Sequence, residues 1–306
     1  MSQAVLLVSH GTVDDLDDLT GFVTNVRRGR PPAAALVEEL RRRYEAIGGK
    51  SPLNETNALL ANKLERVLGV PVAWANRLWK PYVRDALSEL ARGGVTRVAL
   101  VPLAQHSAHV YADDARRAAE GTGIELVCAQ NWGRSPRLCA AFAERIARCL
   151  GDESDLSRAS VVMTAHSLPK VIVARGDPYE DEVRAAADVV ATSLRARFGE
   201  GLRYFVAFQS QALDAGPDGK TVEWLGPDLR TVLDEAKDRR ERLVVFAPIG
   251  FLADHVEVLY DLDIEARALA RDRGIEYLRS GSLNADDDLV DVLASVARPL
   301  LALAHD

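Results

Sequence analysis

The chain has 306 residues, of which 48% are hydrophobic and 27% are charged, and its net charge is −7. This balance is typical of a globular protein with one large or two medium domains of roughly 150 residues each. A generally acidic chain repels phosphate backbones, so we expect no nucleic-acid binding.

Short apolar runs alternate with longer amphipathic stretches along the chain. The runs are typical of buried parallel strands, and the stretches have the apolar spacing of three and four that indicates helices. Their alternation predicts an α/β fold with two similar Rossmann-like halves, each a four-stranded parallel sheet flanked by helices. The predicted strands span residues 5–9, 70–75, 97–103, 124–129, 160–165, 204–208, 243–247 and 275–278. The predicted helices span residues 34–46, 55–68, 83–92, 135–150, 180–198 and 287–303.

The two predicted halves repeat each other in sequence. Residues 97–110 resemble residues 242–256, because each has a strand, a proline and a loop that ends in His-Val. Chance similarity among α/β units is the alternative interpretation. We predict an N-terminal half at residues 1–151 and a C-terminal half at residues 152–306, and the last helix could pack on the first half.

His166 directly follows the predicted strand at residues 160–165 and stands three residues before Pro169. A proline at this point ends the strand and keeps the imidazole at the rim of the sheet. An imidazole can accept a proton or a metal ion near neutral pH, so His166 is a candidate catalytic residue. A structural histidine at the strand end is the alternative.

Three carboxylates follow at a spacing of four residues: Glu257, Asp261 and Glu265. If this stretch is a regular α-helix, all three lie on one face. The residues between them include apolar ones, which indicates a largely buried helix, and a buried row of acids needs cations or protons. The row could pass divalent ions or protons, and a solvated acidic face is the alternative.

Arginines are concentrated at residues 27–30, in a loop rich in glycine and proline. Guanidinium groups bind carboxylates with two parallel hydrogen bonds, so this loop is a candidate anion site, and a solvated loop is the alternative. The sequence has no phosphate-binding glycine loop, no Cys-x-x-Cys and no Gly-x-Ser-x-Gly. A nucleotide enzyme or an α/β-hydrolase is therefore poorly supported.

Seven short blocks occur in one order along nearly the whole chain. They are Val-Arg-Arg-Gly-Arg at 26–30, Tyr-Glu-Ala-Ile-Gly-Gly-Lys-Ser-Pro-Leu at 44–53, Thr-Ala-His-Ser-Leu-Pro at 164–169, Gly-Asp-Pro-Tyr at 176–179, Phe-Gln-Ser at 208–210, Trp-Leu-Gly-Pro at 224–227 and Gly-Phe-Leu-Ala-Asp-His-Val-Glu at 250–257. Together they resemble the ferrochelatase family, whose members insert ferrous iron into a porphyrin in heme biosynthesis. The compact length resembles the short, soluble bacterial form.

The resemblance implies a role for each matching residue. His166 and Glu257 match the catalytic pair that faces the porphyrin. The same two residues, with Asp261 and Glu265, match the positions that contact the metal.

The resemblance also implies substrate contacts in the first half of the chain, where Arg27, Arg28 and Ser51 match positions near the propionates or the site entrance. The chain departs from the family pattern at His10, where the short form often has tyrosine, and we predict a substrate contact there too. Another departure is Gln211, where glutamate is frequent. His106 and His109 stand in a loop that is usually richer in aromatic and hydroxyl groups, and they could assist metal delivery or pack against the ring.

The sequence therefore predicts a lyase, a ferrochelatase that acts on protoporphyrin IX or coproporphyrin III. The alternatives are a cobalt or nickel chelatase for another tetrapyrrole and a non-catalytic tetrapyrrole or metal carrier. We expect Fe²⁺ as a substrate, no prosthetic group, and no iron–sulfur cluster, because a cluster normally needs four thiolates and the chain has three cysteines.

The expected location is the cytoplasm. The sequence shows no signal peptide and no transmembrane segment, and a sparse, odd set of cysteines suits a reducing compartment. We also expect transient contacts with the preceding or following enzymes of heme synthesis.

Overall fold

The computed structural model describes residues 2–151, 156–210 and 222–302. Within these residues strands and helices alternate, as the sequence predicts. The strands are β1 (Gln3–Ser9), β2 (Val72–Asn76), β3 (Arg97–Pro102), β4 (Glu125–Cys128), β5 (Ala159–His166), β6 (Arg203–Gln209), β7 (Leu243–Ala247) and β8 (Glu276–Arg279).

The strands form two separate four-stranded sheets, and every pairing in them is parallel. The strand order is β2-β1-β3-β4 in one sheet and β6-β5-β7-β8 in the other, so both halves have the same topology. Every residue of β3 and of β7 is buried. Parallel strands that are covered on both faces appear as continuous apolar runs in the sequence. The predicted fold class is confirmed.

The helices surround the two sheets. Those predicted from periodicity are found with nearly the predicted bounds, and the helices α1, α5, α7, α9 and α11 were not predicted. The helices are α1 (Leu19–Val26), α2 (Ala34–Ala46), α3 (Leu53–Leu68), α4 (Val83–Arg92), α5 (Ala108–Ala119), α6 (Pro136–Leu150), α7 (Lys170–Ala174), α8 (Tyr179–Phe198), α9 (Leu229–Asp238), α10 (Val256–Tyr260), α11 (Arg267–Asp272) and α12 (Asp287–Ala302). A π-helical turn at Asp261–Ala266 joins α10 to α11.

The first compact unit contains the residues up to Trp132, the short segment Ala253–Val256 and the residues from Asn284 onward. Its core lies between the first sheet and the helices α4 and α5, and it includes Leu6 and Leu100. Helix α12 packs on α3 and β3 of this unit, which agrees with the return of the last helix that the sequence suggested.

The second compact unit contains Gly133–Leu252 and Glu257–Leu283. Helix α6 packs against α8 and β7 of this unit through a buried apolar face. The chain therefore passes from one unit to the other at residues 132–133, before α6, and the predicted boundary after residue 151 differs from this division. Residues 152–155, which follow the predicted boundary, lie outside the described residues.

No helix within the described residues is both long enough and apolar enough to cross a membrane.

Candidate active site

His166 is the last residue of β5, and contacts to its backbone and to the next residue fix its position. The hydroxyl of Tyr179 donates a hydrogen bond to the carbonyl oxygen of His166 at 2.8 Å. The N–H of Ser167 donates to the carbonyl of Gln209 at 2.7 Å, and its hydroxyl donates to the carbonyl of Leu225 at 2.9 Å. The imidazole is thereby held at the carboxyl end of the sheet, where ligands bind in open α/β folds.

Gly250 brings the segment after β7 close to β5. Its N–H donates to the carbonyl of Thr164 at 2.9 Å. A Cβ atom at Gly250 would lie 2.5 Å from the Cβ and 2.6 Å from the Cα of Ala165, which is too close for any side chain. Glycine is therefore required here because two backbone segments approach each other closely.

Glu257, in α10, meets His166 through its carboxylate. The Nδ1 atom of His166 lies 3.0 Å from Oε2 of Glu257, and the two side chains are 36% and 34% exposed. A protonated Nδ1 donates to the carboxylate at this distance. The structure thus brings together the two residues that the sequence predicts as the catalytic pair, and both remain accessible to a ligand.

The surroundings of His166 raise its pKa. Burial disfavours the charged imidazolium and by itself would lower the pKa. The negative charge of Glu257 and its hydrogen bond act in the opposite direction, and with the charge of Asp261 they raise the pKa of His166 above its usual value. The imidazole therefore keeps its proton to a higher pH than a solvated histidine does.

The end of β6 contacts the same acidic segment. The side-chain amide of Gln209 donates from Nε2 to the backbone carbonyl of Glu257 at 3.0 Å. The hydroxyl of Ser210 donates to Oδ2 of Asp261 at 2.5 Å, and Ser210 has a φ of 63°, in the left-handed region that non-glycine residues seldom adopt. Gln209 and Ser210, which make these two contacts, are consecutive residues at the carboxyl end of β6.

The acidic row is not a regular α-helix along its whole length. The chain forms a π-helical turn at Asp261–Ala266, in which hydrogen bonds run from i to i+5. Such a turn contains more residues than an α-helical turn, so side chains spaced by four still lie close to one face of it. Asp261 is buried, at 3% exposure, whereas Glu265 is exposed to solvent.

The four side chains predicted to contact metal do not form one cluster. In the part of the chain that the structure describes, no group of three or more His, Cys, Asp or Glu side chains is arranged to hold a metal ion. His166 and Glu257 meet, Asp261 is bound to Ser210, and Glu265 lies at the surface. The His166–Glu257 pair therefore offers a metal ion one imidazole nitrogen and one carboxylate.

Arg27 and Arg28 lie in the first unit, just after α1. Arg27 is half-buried, and its Nε atom is buried without a hydrogen-bond partner among the described residues. Arg28 is exposed, has a φ of 56°, and lines a cavity of about 510 Å³ together with Arg77, His109 and Arg117. Two aspartates, Asp113 and Asp114, also line this cavity. Asp114 forms ion pairs with both Arg77 and Arg117, so two of the three guanidinium groups at the cavity already have a carboxylate partner.

The remaining predicted residues of the first unit differ in accessibility. His10 is exposed, and its Nδ1 lies 3.4 Å from the hydroxyl of Tyr111. Ser51 is completely buried, and its hydroxyl accepts a hydrogen bond from the N–H of Leu53 at 3.4 Å at the start of α3. His106 is buried at 2% exposure. Ser51 thus has a local contact just before α3, and its contact with substrate stays a prediction. Gln211 lies outside the described residues.

The three cysteines are free thiols in buried or half-buried positions. Burial raises the pKa of Cys139 to about 11, and it also raises the pKa of Cys128 and Cys149. A raised pKa keeps a thiol protonated at neutral pH, and a protonated thiol is a poor nucleophile and a poor metal ligand.

Comparison with known proteins identifies the family. A protein-family model described as Ferrochelatase matches residues 2–300. The chain belongs to the ferrochelatase family. It is 34% identical to a ferrochelatase of Thermus thermophilus, over 94% of this chain and 96% of that protein. It is 32% identical to a coproporphyrin III ferrochelatase of Anoxybacillus flavithermus, over 95% of this chain and 94% of that protein.

A solved structure shares the fold of this ferrochelatase-family chain at low sequence identity. It is SirB from Bacillus subtilis with Fe³⁺, with a TM-score of 0.59, 15% identity, and coverage of 99% of this chain and 96% of that one. At this identity the match supports the fold alone.

Sequence reasoning found the His166–Glu257 pair but missed Gln209 as a neighbour of Glu257. Gln209 entered only as part of the family block at 208–210. Its place at the carboxyl end of a predicted strand is the signal that could have found it, because strand ends gather at one edge of a parallel sheet.

Proposed function

We propose that this chain is a ferrochelatase that inserts ferrous iron into a porphyrin in heme biosynthesis and releases two protons. The observation that carries the proposal is the 3.0 Å contact between Nδ1 of His166 and Oε2 of Glu257, in a chain that belongs to the ferrochelatase family. The partly exposed pair supplies an imidazole base and a carboxylate partner at the carboxyl end of a parallel sheet.

Insertion of a metal requires that two pyrrole N–H groups lose their protons. The neutral imidazole of His166 accepts one proton, and the carboxylate of Glu257, which orients that imidazole, accepts the second. This assignment is supported by the raised pKa of His166, because a proton taken from the porphyrin is held against a neighbouring carboxylate. Asp261 and Glu265 carry protons or the divalent ion away from or toward the pair.

Iron is a substrate in this scheme and passes through the site to the ring. A few nitrogen and oxygen ligands suit such an ion, because a thiolate cage would retain it. We propose that the chain has no prosthetic group and no iron–sulfur cluster, in keeping with its three protonated thiols.

The porphyrin carboxylates are bound by Arg27 and Arg28 in this proposal. The buried Nε atom of Arg27, which has no hydrogen-bond partner among the described residues, and the exposed position of Arg28 at the edge of a cavity support the assignment. His10 and Ser51 are proposed to contact the substrate from the same unit. A cytoplasmic location and transient contacts with neighbouring enzymes of heme synthesis complete the proposal.

The deciding experiment follows metallation by absorbance. The purified chain is mixed anaerobically with ferrous iron and either protoporphyrin IX or coproporphyrin III, and cobalt or nickel with sirohydrochlorin serves as the comparison. We expect turnover with ferrous iron and at least one of the two porphyrins. Turnover with sirohydrochlorin alone, or porphyrin binding without metallation, would contradict the proposal and favour another chelatase or a carrier.

A further inference from the structure

Glu257 is held at two separate points by residues that are partners in the second sheet. His166 of β5 and Gln209 of β6 are opposite each other in the parallel register. His166 contacts the carboxylate of Glu257, and Gln209 contacts its backbone carbonyl, each at 3.0 Å. One contact fixes the reactive end of Glu257, and the other fixes the backbone from which its side chain extends.

The side chain of Gln209 is buried, with 2% exposure, and packing alone does not account for it. Its Nε2 donates to Glu257, but its Oε1 is buried and has no hydrogen-bond partner among the described residues. A buried amide with an unsatisfied oxygen destabilises a fold relative to an apolar side chain of similar shape. Its presence therefore indicates a task other than filling the core.

The contact between Gln209 and the Glu257 carbonyl lies next to a π-helical turn. The turn begins at Asp261, four residues after Glu257, and side chains from neighbouring elements bind its backbone and carboxylates. Tyr277 of β8 donates to the carbonyl of Leu262 at 2.7 Å, and Ser210 donates to the carboxylate of Asp261. Gln209 is the contact that lies at Glu257 itself, before the turn. π-turns are frequent at functional sites, where they redirect side chains.

We propose that Gln209 is a positioning residue that sets the distance between the carboxylate of Glu257 and the imidazole of His166 by holding the Glu257 carbonyl. This inference rests on the proposed iron insertion. Loss of the contact frees the first turn of the acidic segment, and the carboxylate then meets His166 in a smaller fraction of molecules. Gln209 acts through Glu257, so it changes the chemical step and leaves porphyrin binding intact.

The test compares Gln209→Met with the matched variant Tyr277→Phe in the full chain. Both remove a side-chain donor to a backbone carbonyl of the same segment, but only the first contact is at Glu257. We expect Gln209→Met to lower kcat for iron insertion about tenfold, with the KM for porphyrin unchanged within about twofold. Tyr277→Phe should increase amide hydrogen exchange in peptides that cover residues 261–266 but keep kcat within about twofold.

Each outcome decides the question. Equal kcat for Gln209→Met and the unchanged chain, or an equal loss of kcat in both variants, would overturn the positioning role. An unchanged chain that metallates no porphyrin would remove the proposed function, and this inference with it. If Gln209→Met does not fold, Gln209→Asn keeps a neutral amide on a side chain one methylene shorter, whose nitrogen no longer reaches the Glu257 carbonyl, and the same kinetic pattern is expected of it.

Discussion

At the scale of single residues, the proposed mechanism gives the two members of the His166–Glu257 pair different tasks that substitution can test. In that mechanism the imidazole accepts a proton, and the carboxylate, 3.0 Å away, holds the imidazole in place. We predict that His166→Ala and Glu257→Gln each lower the rate of iron insertion by at least about 100-fold, which is the scale of general acid–base catalysis. Stopped-flow or steady-state absorbance of the porphyrin measures the effect.

A surface variant near the pair serves as the control. Lys170 is exposed, forms an ion pair with Glu223 at 3.4 Å, and lies four residues after His166. Lys170→Ala should leave the rate nearly unchanged, because exposed ion pairs contribute little. Near-normal insertion by both His166→Ala and Glu257→Gln, with intact folds by circular dichroism, would remove these two residues from the mechanism.

The raised pKa of His166 predicts the direction of the pH dependence. The imidazole must be neutral to accept a proton. We therefore expect kcat/KM to fall as the pH drops through the pKa of His166 in the folded chain, which lies above the usual value near 6.5. Glu257→Gln removes the negative charge that raises this pKa, so the acidic limb should move to lower pH. A pH–rate profile of both proteins measures the shift, and an unmoved limb contradicts the assignment.

The raised pKa of His166 also makes the free energy of unfolding depend on pH, and this dependence runs opposite to that of the activity. A group whose pKa is higher in the folded chain contributes stability that is complete below its unfolded value, near 6.5, and is lost as the pH rises through the folded value. The difference in unfolding free energy between the unchanged chain and Glu257→Gln should therefore be largest in mild acid. In the proposed mechanism, His166 becomes neutral and able to accept a proton over the same pH range in which this stabilisation is lost.

The sequence singled out two residues that the structure places in contact, His166 and Glu257. His166 follows an apolar run and Glu257 ends a family block, so both were visible as candidates. The contact of Gln209 with the Glu257 carbonyl depends on which strands are neighbours, and strand order is not written in the local sequence. The complete burial of Ser51 has the same cause, because it depends on tertiary packing.

At the scale of elements, strands were easier to predict than short helices. Buried parallel strands have a strong local signal, and β7 was found with its exact bounds at residues 243–247. Helix α9 was missed although Asp228 caps it by accepting the N–H of Thr231, a signal that the sequence contains. Helix α5 is rich in alanine, so its apolar face is weak in the sequence.

The π-helical turn is the element that periodicity did not predict. A spacing of four residues was interpreted as an α-helix with about 3.6 residues per turn, whereas the turn at Asp261–Ala266 has hydrogen bonds from i to i+5. The side chains of Ser210, which follows β6, and Tyr277 of β8 bind the turn from outside its own sequence. Local sequence therefore could not show this turn.

Gly250 provides a test of the close approach between the segment after β7 and β5. In Gly250→Ala the new Cβ would lie 2.5 Å from the Cβ of Ala165, so the backbone must move. We predict a loss of about 1–3 kcal/mol in the free energy of unfolding, as for other overpacked sites, together with reduced activity because β5 carries His166. Urea unfolding and the metallation assay measure the two effects.

Gly281→Ala is the matched control for Gly250→Ala. Gly281 belongs to the same unit, and a Cβ at this position would meet no atom within 4 Å. Its variant should change the unfolding free energy by no more than about 0.5 kcal/mol. If both variants were equally stable, the short approach between Gly250 and Ala165 would not constrain the fold.

At the scale of the whole molecule, one topology occurs twice in the chain, and the two copies carry different residues. The strand orders of the two sheets correspond strand by strand, as the repeated sequence pattern predicts. The second unit contains His166 and Glu257, whereas the first unit contains Arg27, Arg28 and His10. The division near Trp132 was not visible in the sequence, because the burial of α6 against α8 decides it.

This separation predicts that the two units affect different kinetic constants. Arg27→Ala with Arg28→Ala should raise the KM for porphyrin about tenfold or more while kcat changes little, because guanidinium contacts with carboxylates serve binding in the ground and transition states alike. Substitution of His166 should show the reverse pattern. Steady-state kinetics with varied porphyrin concentration at fixed ferrous iron measures both constants.

Arg30→Ala controls for the general loss of positive charge in the same loop. Arg30 is exposed and donates from Nε to the carbonyl of Arg27 at 3.2 Å, and it is not proposed to bind the porphyrin. Its variant should keep the KM within about twofold at physiological ionic strength, where distant surface charges are largely screened. An equal rise of KM in Arg30→Ala and in the double variant would mean that the loss of positive charge alone weakens porphyrin binding. An unchanged KM in the double variant would refute the proposal that Arg27 and Arg28 bind the porphyrin carboxylates.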